Sequence, residues 1–319
     1  MRRLILFAAK AAISASLLYL AFRSVNIENI RARLNDVHIG WIVAAILLLI
    51  AQVIPFSLRW RQIALQCGAS LPVEKALRFG FIATFFNQVL PSTIGGDGVR
   101  IWLLGRSGAK WKAATYSVLI DRATGLMALS LLLLVCLPWT LALVRHPVGR
   151  NTLIALEAVT LAGGIVFLAL GRIDGSWLKG WWPTRHLTDV AATAYRVLTG
   201  PRLPLIAALS LGIHLLTVAA TWCAARAIAA PLDFGQALML VLPVILVASI
   251  PISIAGWGVR ESAMMAAFGY AGLAETDGLV VSILFGIAVV IAAASGGVVW
   301  ILSNEQRAAW AAGDHASSQ

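Results

Sequence analysis

Long apolar runs alternate with short basic connections along this chain. Six runs have the length of membrane-crossing helices: roughly 4–22, 40–58, 115–137, 151–171, 203–225 and 278–302. Each approaches or exceeds the ~20 residues needed to cover ~30 Å of hydrocarbon. Two further runs, 77–90 and 236–250, span only 14 and 15 residues, too short for an ordinary crossing. Both end in proline, glycine and charge. Residues 91–100 read Pro-Ser-Thr-Ile-Gly-Gly-Asp-Gly-Val-Arg, and residues 251–260 read Pro-Ile-Ser-Ile-Ala-Gly-Trp-Gly-Val-Arg. Six of the ten positions agree, including Pro91/Pro251, Gly96/Gly256, Gly98/Gly258 and Arg100/Arg260. Matching Gly/Pro-interrupted hydrophobic segments in two halves of a membrane protein point to a transport site.

The spacing of Lys and Arg sets the orientation. Arg2 and Arg3 place the N-terminus inside, and the second span ends at Arg59 and Arg61, also inside. The first broken segment is basic on both flanks, with Arg100, Arg106, Lys110 and Lys112 after it. It therefore dips in and returns to the cytoplasmic side. Loop 172–202 carries Arg172, Lys179, Arg185, Arg196 and Arg202 against Asp174 and Asp189, and is read as cytoplasmic. The second broken segment then enters from the outer face, and the last span returns the C-terminus to the cytoplasm. Two breaks entering from opposite faces form an inverted repeat. Trp41, Trp60, Trp111, Trp139, Trp177, Trp222 and Trp300 lie near the proposed span ends, where indole favours the interface.

The expectation is an all-α polytopic bundle: about six full spans plus two re-entrant broken-helix segments, about 77–112 and 236–273. One integral membrane domain covers 1–303, and 304–319 is a short cytoplasmic tail. Lys10 interrupts the first apolar run and no small-x-small cleavage site follows, so the N-terminal run reads as a retained span in an inner (cytoplasmic) membrane. Within loop 172–202, Val190, Ala191, Ala194 and Val197 recur at helical spacing. That stretch is either a helix on the membrane surface or a connecting helix.

Composition agrees. The chain is 60% hydrophobic and 12% charged, with mean hydropathy +0.86; soluble proteins carry about 25% charged residues. No polar stretch is long enough for an independent catalytic core. A net charge of +11 would raise nucleic acid as a partner in a soluble protein. Here it reflects basic loops, so no nucleic acid is expected, and anionic lipid headgroups are the natural counter-ions. Cys67, Cys136 and Cys223 are scattered, as are the five histidines. No metal-ligand spacing appears, and no metal or cofactor is expected.

The chemistry gathers at three places. At the first break, Gly95, Gly96 and Gly98 permit conformations other residues resist, and Pro91 removes a donor. Irregular backbone at membrane depth needs protein or water to satisfy it, which implies a cavity lined by Asn87, Gln88, Thr93, Asp97 and Arg100. Asp97 would meet an ammonium group or an arginine, and Arg100 a phosphate through its forked donors. A helix end starting a basic loop is the plainer alternative. At the second break Trp257 stands where Asp97 does, while Glu261 follows Arg260, with Ser253 and Ser262 nearby. Arg260 and Glu261 are read as a ligand site or as an internal ion pair pinning two helices. The third place is Asp121-Arg122, followed by Gly125, inside the third span. Helix neighbours point about 100° apart, so one is expected to face the cavity and the other a neighbouring helix. Asp121 is expected to pair with Arg100 or Arg260. His214 reads as a hydrogen-bonded core residue, and Arg226 as a snorkelling span end.

Asn87…Pro91…Gly95-Gly96-Asp97…Arg100, then Asp121-Arg122…Gly125, then Pro251…Gly256-Trp257-Gly258…Arg260-Glu261 resemble the lysylphosphatidylglycerol synthase transmembrane (flippase-like) family. The likeness spans most of the chain. In bifunctional members this membrane half is associated with moving aminoacylated phosphatidylglycerol between leaflets, and a separate soluble half transfers the amino acid from tRNA. No such half follows here, so synthase activity is not carried over. The resemblance implies a lipid-handling membrane protein, with Asn87, Asp97, Arg100, Asp121, Arg122, Arg260 and Glu261 as substrate-binding positions. It implies a membrane lipid with a polar or anionic headgroup as ligand and a lipid-synthesis enzyme as a partner. The alternatives are an intramembrane transferase, with Asp97, Asp121 and Glu261 as acid-base groups, or an accessory scaffold in a lipid, glycolipid or hopanoid pathway.

Overall fold

A computed structural model describes residues 2–23, 25, 27–90, 95–173, 182–250 and 252–303. Twelve helices account for nearly all of them: α1 (Arg2–Arg23), α2 (Ile27–Asn35), α3 (Ile39–Gln66), α4 (Val73–Val89), α5 (Gly95–Arg106), α6 (Trp111–Leu143), α7 (Pro147–Leu170), α8 (Trp182–Thr199), α9 (Leu203–Ala227), α10 (Phe234–Ala248), α11 (Val259–Tyr270) and α12 (Glu275–Leu302). Among the described residues no strand occurs. Helices α3, α6, α7, α9 and α12 are long and apolar enough to cross a membrane, with mean hydropathy 2.0–2.5 over their best windows. At 1.5 Å per residue, 24 to 33 residues reach about 36–50 Å, more than the hydrocarbon core requires. Helix α1, with 22 residues, occupies the first predicted span. The chain is a multi-pass helical membrane protein.

The two short runs become helix hairpins. Helices α4 and α10, of 17 and 15 residues, reach only about 25 and 22 Å. Each is followed by a break and a 12-residue helix, α5 or α11, that packs back along it. Leu103 and Leu104 of α5 join Ala76, Phe79 and Ile82 of α4 in one buried cluster. Met264 and Phe268 of α11 likewise join Leu240, Val241 and Val244 of α10.

The packing repeats when the two halves are exchanged. In one half α3 packs on α4 and α6; in the other α9 packs on α10 and α12. Helix α4 packs against α12, and α10 against α6, so each hairpin leans on the last helix of the opposite half. The axis of the arrangement is the α3–α9 pair, which runs antiparallel. His38 N–H donates to Ala227 O at 2.9 Å, Gln52 Nε2 to Ile213 O at 2.9 Å, and Arg202 Nη1 to Gln62 Oε1 at 3.2 Å. Antiparallel corresponding helices are the geometry of an inverted repeat.

Several expected boundaries shift. Helix α3 continues to Gln66 rather than stopping at 58, because Arg59 and Trp60 are buried inside the bundle. The first hairpin ends at Arg106, not 112: Lys110 precedes α6, which starts at Trp111. Helix α2 was not anticipated; nine residues with a mean polar character leave little periodicity to read. The predicted helix in loop 172–202 is α8. Val190, Ala191, Ala194 and Val197 are buried, and Val190, Ala194 and Val197 pack with Ile63, Tyr116, Ile120 and Ile206. Its apolar stripe therefore faces protein, as a connecting helix requires. Pro91, Thr93, Pro251, Trp177, Trp181 and the tail 304–319 lie outside the described residues.

Candidate functional site

Helix α5 begins immediately after the first break. Asn87, near the end of α4, accepts the Gly96 N–H through Oδ1 at 2.8 Å, satisfying one of the free donors of a helix start. The helices are so close at Gly96 that a Cβ would lie 2.1 Å from the Ala83 carbonyl oxygen. This close approach drives Asp97 and Arg100, one turn apart, into the bundle.

There they form a buried chain of alternating charge. Arg122 Nε donates to Asp97 Oδ2. Arg100 Nη2 donates to Asp97 Oδ1 at 2.6 Å, and its Nη1 to Asp121 Oδ2 at 2.9 Å. Arg59 Nε donates to Asp121 Oδ1 at 2.8 Å, and Arg59 Nη1 to Ser210 Oγ at 3.3 Å. Arg100 lies over the rings of Phe56 and Trp60, 4.7 and 5.0 Å from their centroids. Helices α3, α5, α6 and α9 thus meet at one network of three arginines and two aspartates, charge +1. Arg59, Asp97, Arg100 and Asp121 are 5% exposed or less; the Arg122 side chain is 35% exposed. One of Asp121 and Arg122 was expected to face the cavity and the other a neighbouring helix. Both instead serve this network, because Asp97 and Arg100 present acid and base to the two directions that α6 offers.

Gly125 completes the site. A Cβ there would lie 3.2 Å from both terminal nitrogens of Arg59, so the glycine makes room for the guanidinium. Its carbonyl also pairs with His214 Nε2 at 3.1 Å, which makes His214 a hydrogen-bonded core residue. Arg226, at the end of α9, lies over Trp41 and Trp222.

The second break uses different parts. Ala255, Gly256 and Gly258 take positive φ, +49°, +83° and +87°, a tight left-handed turn that L side chains resist. Ser14 of α1 braces it: Ile254 N–H donates to Ser14 Oγ at 3.0 Å. Glu261, fully buried, accepts the Gly258 N–H at 2.6 Å through Oε2 and Arg260 Nη2 at 2.6 Å through Oε1. Ser282 of α12 donates to Glu261 Oε1 and accepts from Arg260 Nε, both at 3.1 Å. Arg260 also lies over Trp257 and Phe285, at 4.9 and 5.5 Å. A Cβ at Gly286 would lie 2.3 Å from Arg260 Nη2.

The two sites correspond position by position. Asp121…Gly125 on α6 answers to Ser282…Gly286 on α12: the first member bonds the arginine of the hairpin, and the glycine four residues on admits a guanidinium. Trp257 replaces the Asp97 carboxylate with a ring face, and Glu261 restores the charge from the arginine's own neighbour. Arg59, Ser210, Ser282 and Gly286 were not anticipated. In the sequence Arg59 stands only as a basic flank at the end of the second apolar run. The equal Asp/Ser-to-Gly spacing after each motif arginine would have revealed the other half of the site.

Two cavities lie beside these networks. One, of about 250 Å³, is lined by Gln52, Phe56, Thr84, Asn87 and Gln88 among others. The second, of about 240 Å³, is lined by Thr217, Thr221, Ser249, Gly256 and Arg260 among others. Phe285 and Val289 of α12 line both. The hydrogen bond from Gln52 Nε2 to Thr217 Oγ1 joins their polar walls. Arg260 reaches its cavity with an 11% exposed side chain. Arg100 is 1% exposed and walled by its partners. Among the described residues no cluster of His, Cys, Asp and Glu has the grouping of a metal site.

No curated protein matches the chain. The family model described as the lysylphosphatidylglycerol synthase TM region matches residues 7–296, and the chain belongs to that family.

Proposed function

We propose that this protein moves a lipid with an anionic or zwitterionic phosphate headgroup between the leaflets of a bacterial inner membrane, with both termini cytoplasmic. One observation carries the reading: two cavities, one beside each hairpin, each with a few polar side chains in an otherwise apolar wall, share Phe285 and Val289 of α12. An inverted repeat with sites at the repeat interface suits alternating exposure of one path to two faces. Among the residues lining these two cavities Arg260 is the cation, and its guanidinium offers a phosphate paired donors. Asn87, Gln88 and Gln52 give the other cavity amide donors and acceptors. The network around Arg100 and Asp121 holds α3, α5, α6 and α9 together and positions the first hairpin. Acyl chains stay in the bilayer.

The test is reconstitution of the purified chain into vesicles carrying a headgroup-labelled phosphatidylglycerol, with chemical bleaching of the outer leaflet. The wild type is expected to expose inner-leaflet label at least 10-fold faster than protein-free vesicles. Arg260→Gln is expected to lose most of that rate, compared with the wild type at equal amounts of folded, monodisperse protein. Wild-type vesicles that bleach like empty ones, or an Arg260→Gln protein that keeps the full rate, overturn the proposal.

A further inference from the structure

The described structure holds a second amphipathic site, remote from the hairpin cavities. A cavity of about 400 Å³ opens where the end of α3, the start of α6 and α8 meet. Its wall includes Gln66, Lys110, Lys112, Tyr116, Asp189 and Arg196. Lys112 Nζ is matched by Asp189 Oδ2 at 2.9 Å, and Asp189 is the one acid among the lining residues. The charges of Lys110 and Arg196 remain, so the cavity is positive by two. Helix α6 starts here without a side-chain cap, so its first N–H groups also favour an anion.

This cavity continues into an apolar one. A groove of about 660 Å³ between α6, α7 and α8 shares Lys112 and Tyr116 with it and is walled by Leu119, Ala123, Phe167, Leu187 and Val190. A cationic pocket joined end to end with a hydrocarbon groove fits one chemistry: an anion covalently attached to an acyl chain. Free phosphate would leave the groove empty, and a neutral lipid would leave Lys110 and Arg196 unanswered. The position is right for it, because α8 lies across the basic end of the bundle, where a polybasic surface meets anionic headgroups.

We infer that the α3–α6–α8 corner binds one anionic phospholipid, its phosphate between Lys110 and Arg196 and one acyl chain in the groove along Leu119, Ala123 and Phe167. The lipid ties α8 to α6 and α7. This site does not require that the chain transport lipid.

Native mass spectrometry of the purified full chain in detergent, supplied with dioleoyl phosphatidylglycerol, dioleoyl phosphatidylcholine or inorganic phosphate, tests it. The wild type is expected to retain one more phosphatidylglycerol than Lys110→Gln/Arg196→Gln. Ala123→Phe, which fills the groove, is expected to lose the same molecule. Lys110→Arg should keep it, and so should Arg260→Gln, which separates this site from the hairpin cavity. Both changed cations are on exposed residues, so folding is not at stake. Equal phosphatidylglycerol counts in wild type and double variant overturn the inference. Equal retention of phosphatidylcholine, or displacement of the lipid by inorganic phosphate alone, does the same.

Discussion

The two hairpins share six letters in ten and solve the same problem with different physics. In the first half a buried arginine is held by carboxylates from two helices: Arg100 by Asp97 and Asp121, with Arg59 closing the chain. In the second half Arg260 is held by its own neighbour Glu261, a serine and two aromatic faces. The first network is long-range, tying α3, α5, α6 and α9. The second is compact and leaves its arginine at the cavity wall. The difference teaches that the repeat keeps the helix hairpin and a guanidinium, while the local backbone differs and the counter-charges decide whether that guanidinium is locked or available.

The largest expected effect comes from the acid that serves two arginines. Asp121→Asn removes the carboxylate that Arg59 bonds and leaves buried Arg100 sharing Asp97 with Arg122. Removing one member of a buried charge network costs about 3–5 kcal/mol. Thermal unfolding in detergent should show a steep loss of stability, and little folded protein should be recovered. Glu261→Gln strands one arginine that still has Ser282 and two rings, and the amide oxygen can still accept the Gly258 N–H. Its cost should be roughly half as large, near the 1.5–3 kcal/mol of charged hydrogen bonds. Equal losses would erase the distinction between a tying network and a local one.

Glycines sharpen the comparison, because identical letters hold different duties. Gly96 is needed for contact: a Cβ would strike the Ala83 carbonyl, so Gly96→Ala must push α5 off α4, at about 1–3 kcal/mol. Its counterpart Gly256 has open space but φ +83°, so Gly256→Ala should cost about 1 kcal/mol through the backbone alone. The pair Gly98 and Gly258 should differ in sign. Gly98 sits in α5 with nothing within 4 Å of an added Cβ, so Gly98→Ala should be neutral or stabilising by up to about 1 kcal/mol. Gly258 has φ +87°, and its Cβ would lie 2.8 Å from the Ser14 carbonyl oxygen of α1, so Gly258→Ala should destabilise. Parallel melting curves of the four variants decide whether the duties are assigned correctly.

Much of this was legible in the chain. Apolar length marked five of the six expected crossing helices, and the two short runs marked the hairpins. Charge parity marked the inverted relation that the α3–α9 pairing now displays. Asp97, Arg100, Asp121 and Arg122 stood out because charge inside an apolar run is expensive. What stayed hidden was charge that looked affordable. Arg59 sits beside Arg61 at the end of an apolar run, and a cation there normally snorkels. Only the fold shows that α3 continues past it and turns it inward. Ser282 and Gly286 are ordinary letters in an apolar helix, and acquire meaning only once α12 is laid on α6. Glu261 was visible, but whether it faced a ligand or the Gly258 amide depended on a left-handed turn that sequence pattern does not display.

The smallest effect concerns a pair that the repeat inverts in polarity. Helix α2 reaches the start of α12 through Arg33 and Asp277, at 2.8 Å. Helix α8 reaches the start of α6 through Asp189 and Lys112, at 2.9 Å. The acid lies on the long helix in one case and on the short helix in the other. Asp277 is buried while Asp189 and Lys112 are substantially exposed, so Asp277→Asn should cost more than Asp189→Asn, whose effect should stay under about 1 kcal/mol. The hydrogen bond from Lys112 holds the Asp189 carboxyl below its ordinary range. A depressed acid contributes fully above its unfolded pKa of about 3.9, and the contribution fades as pH falls through the folded value. Stability differences between wild type and Asp189→Asn should therefore be flat from neutral pH down to about 4 and close below it. High salt should shrink the gap at every pH, because the pair is screened. A difference that instead grew on acidification would mean that Asp189 is stabilised in its protonated form, and that the α6–α8 corner is not held by this ion pair.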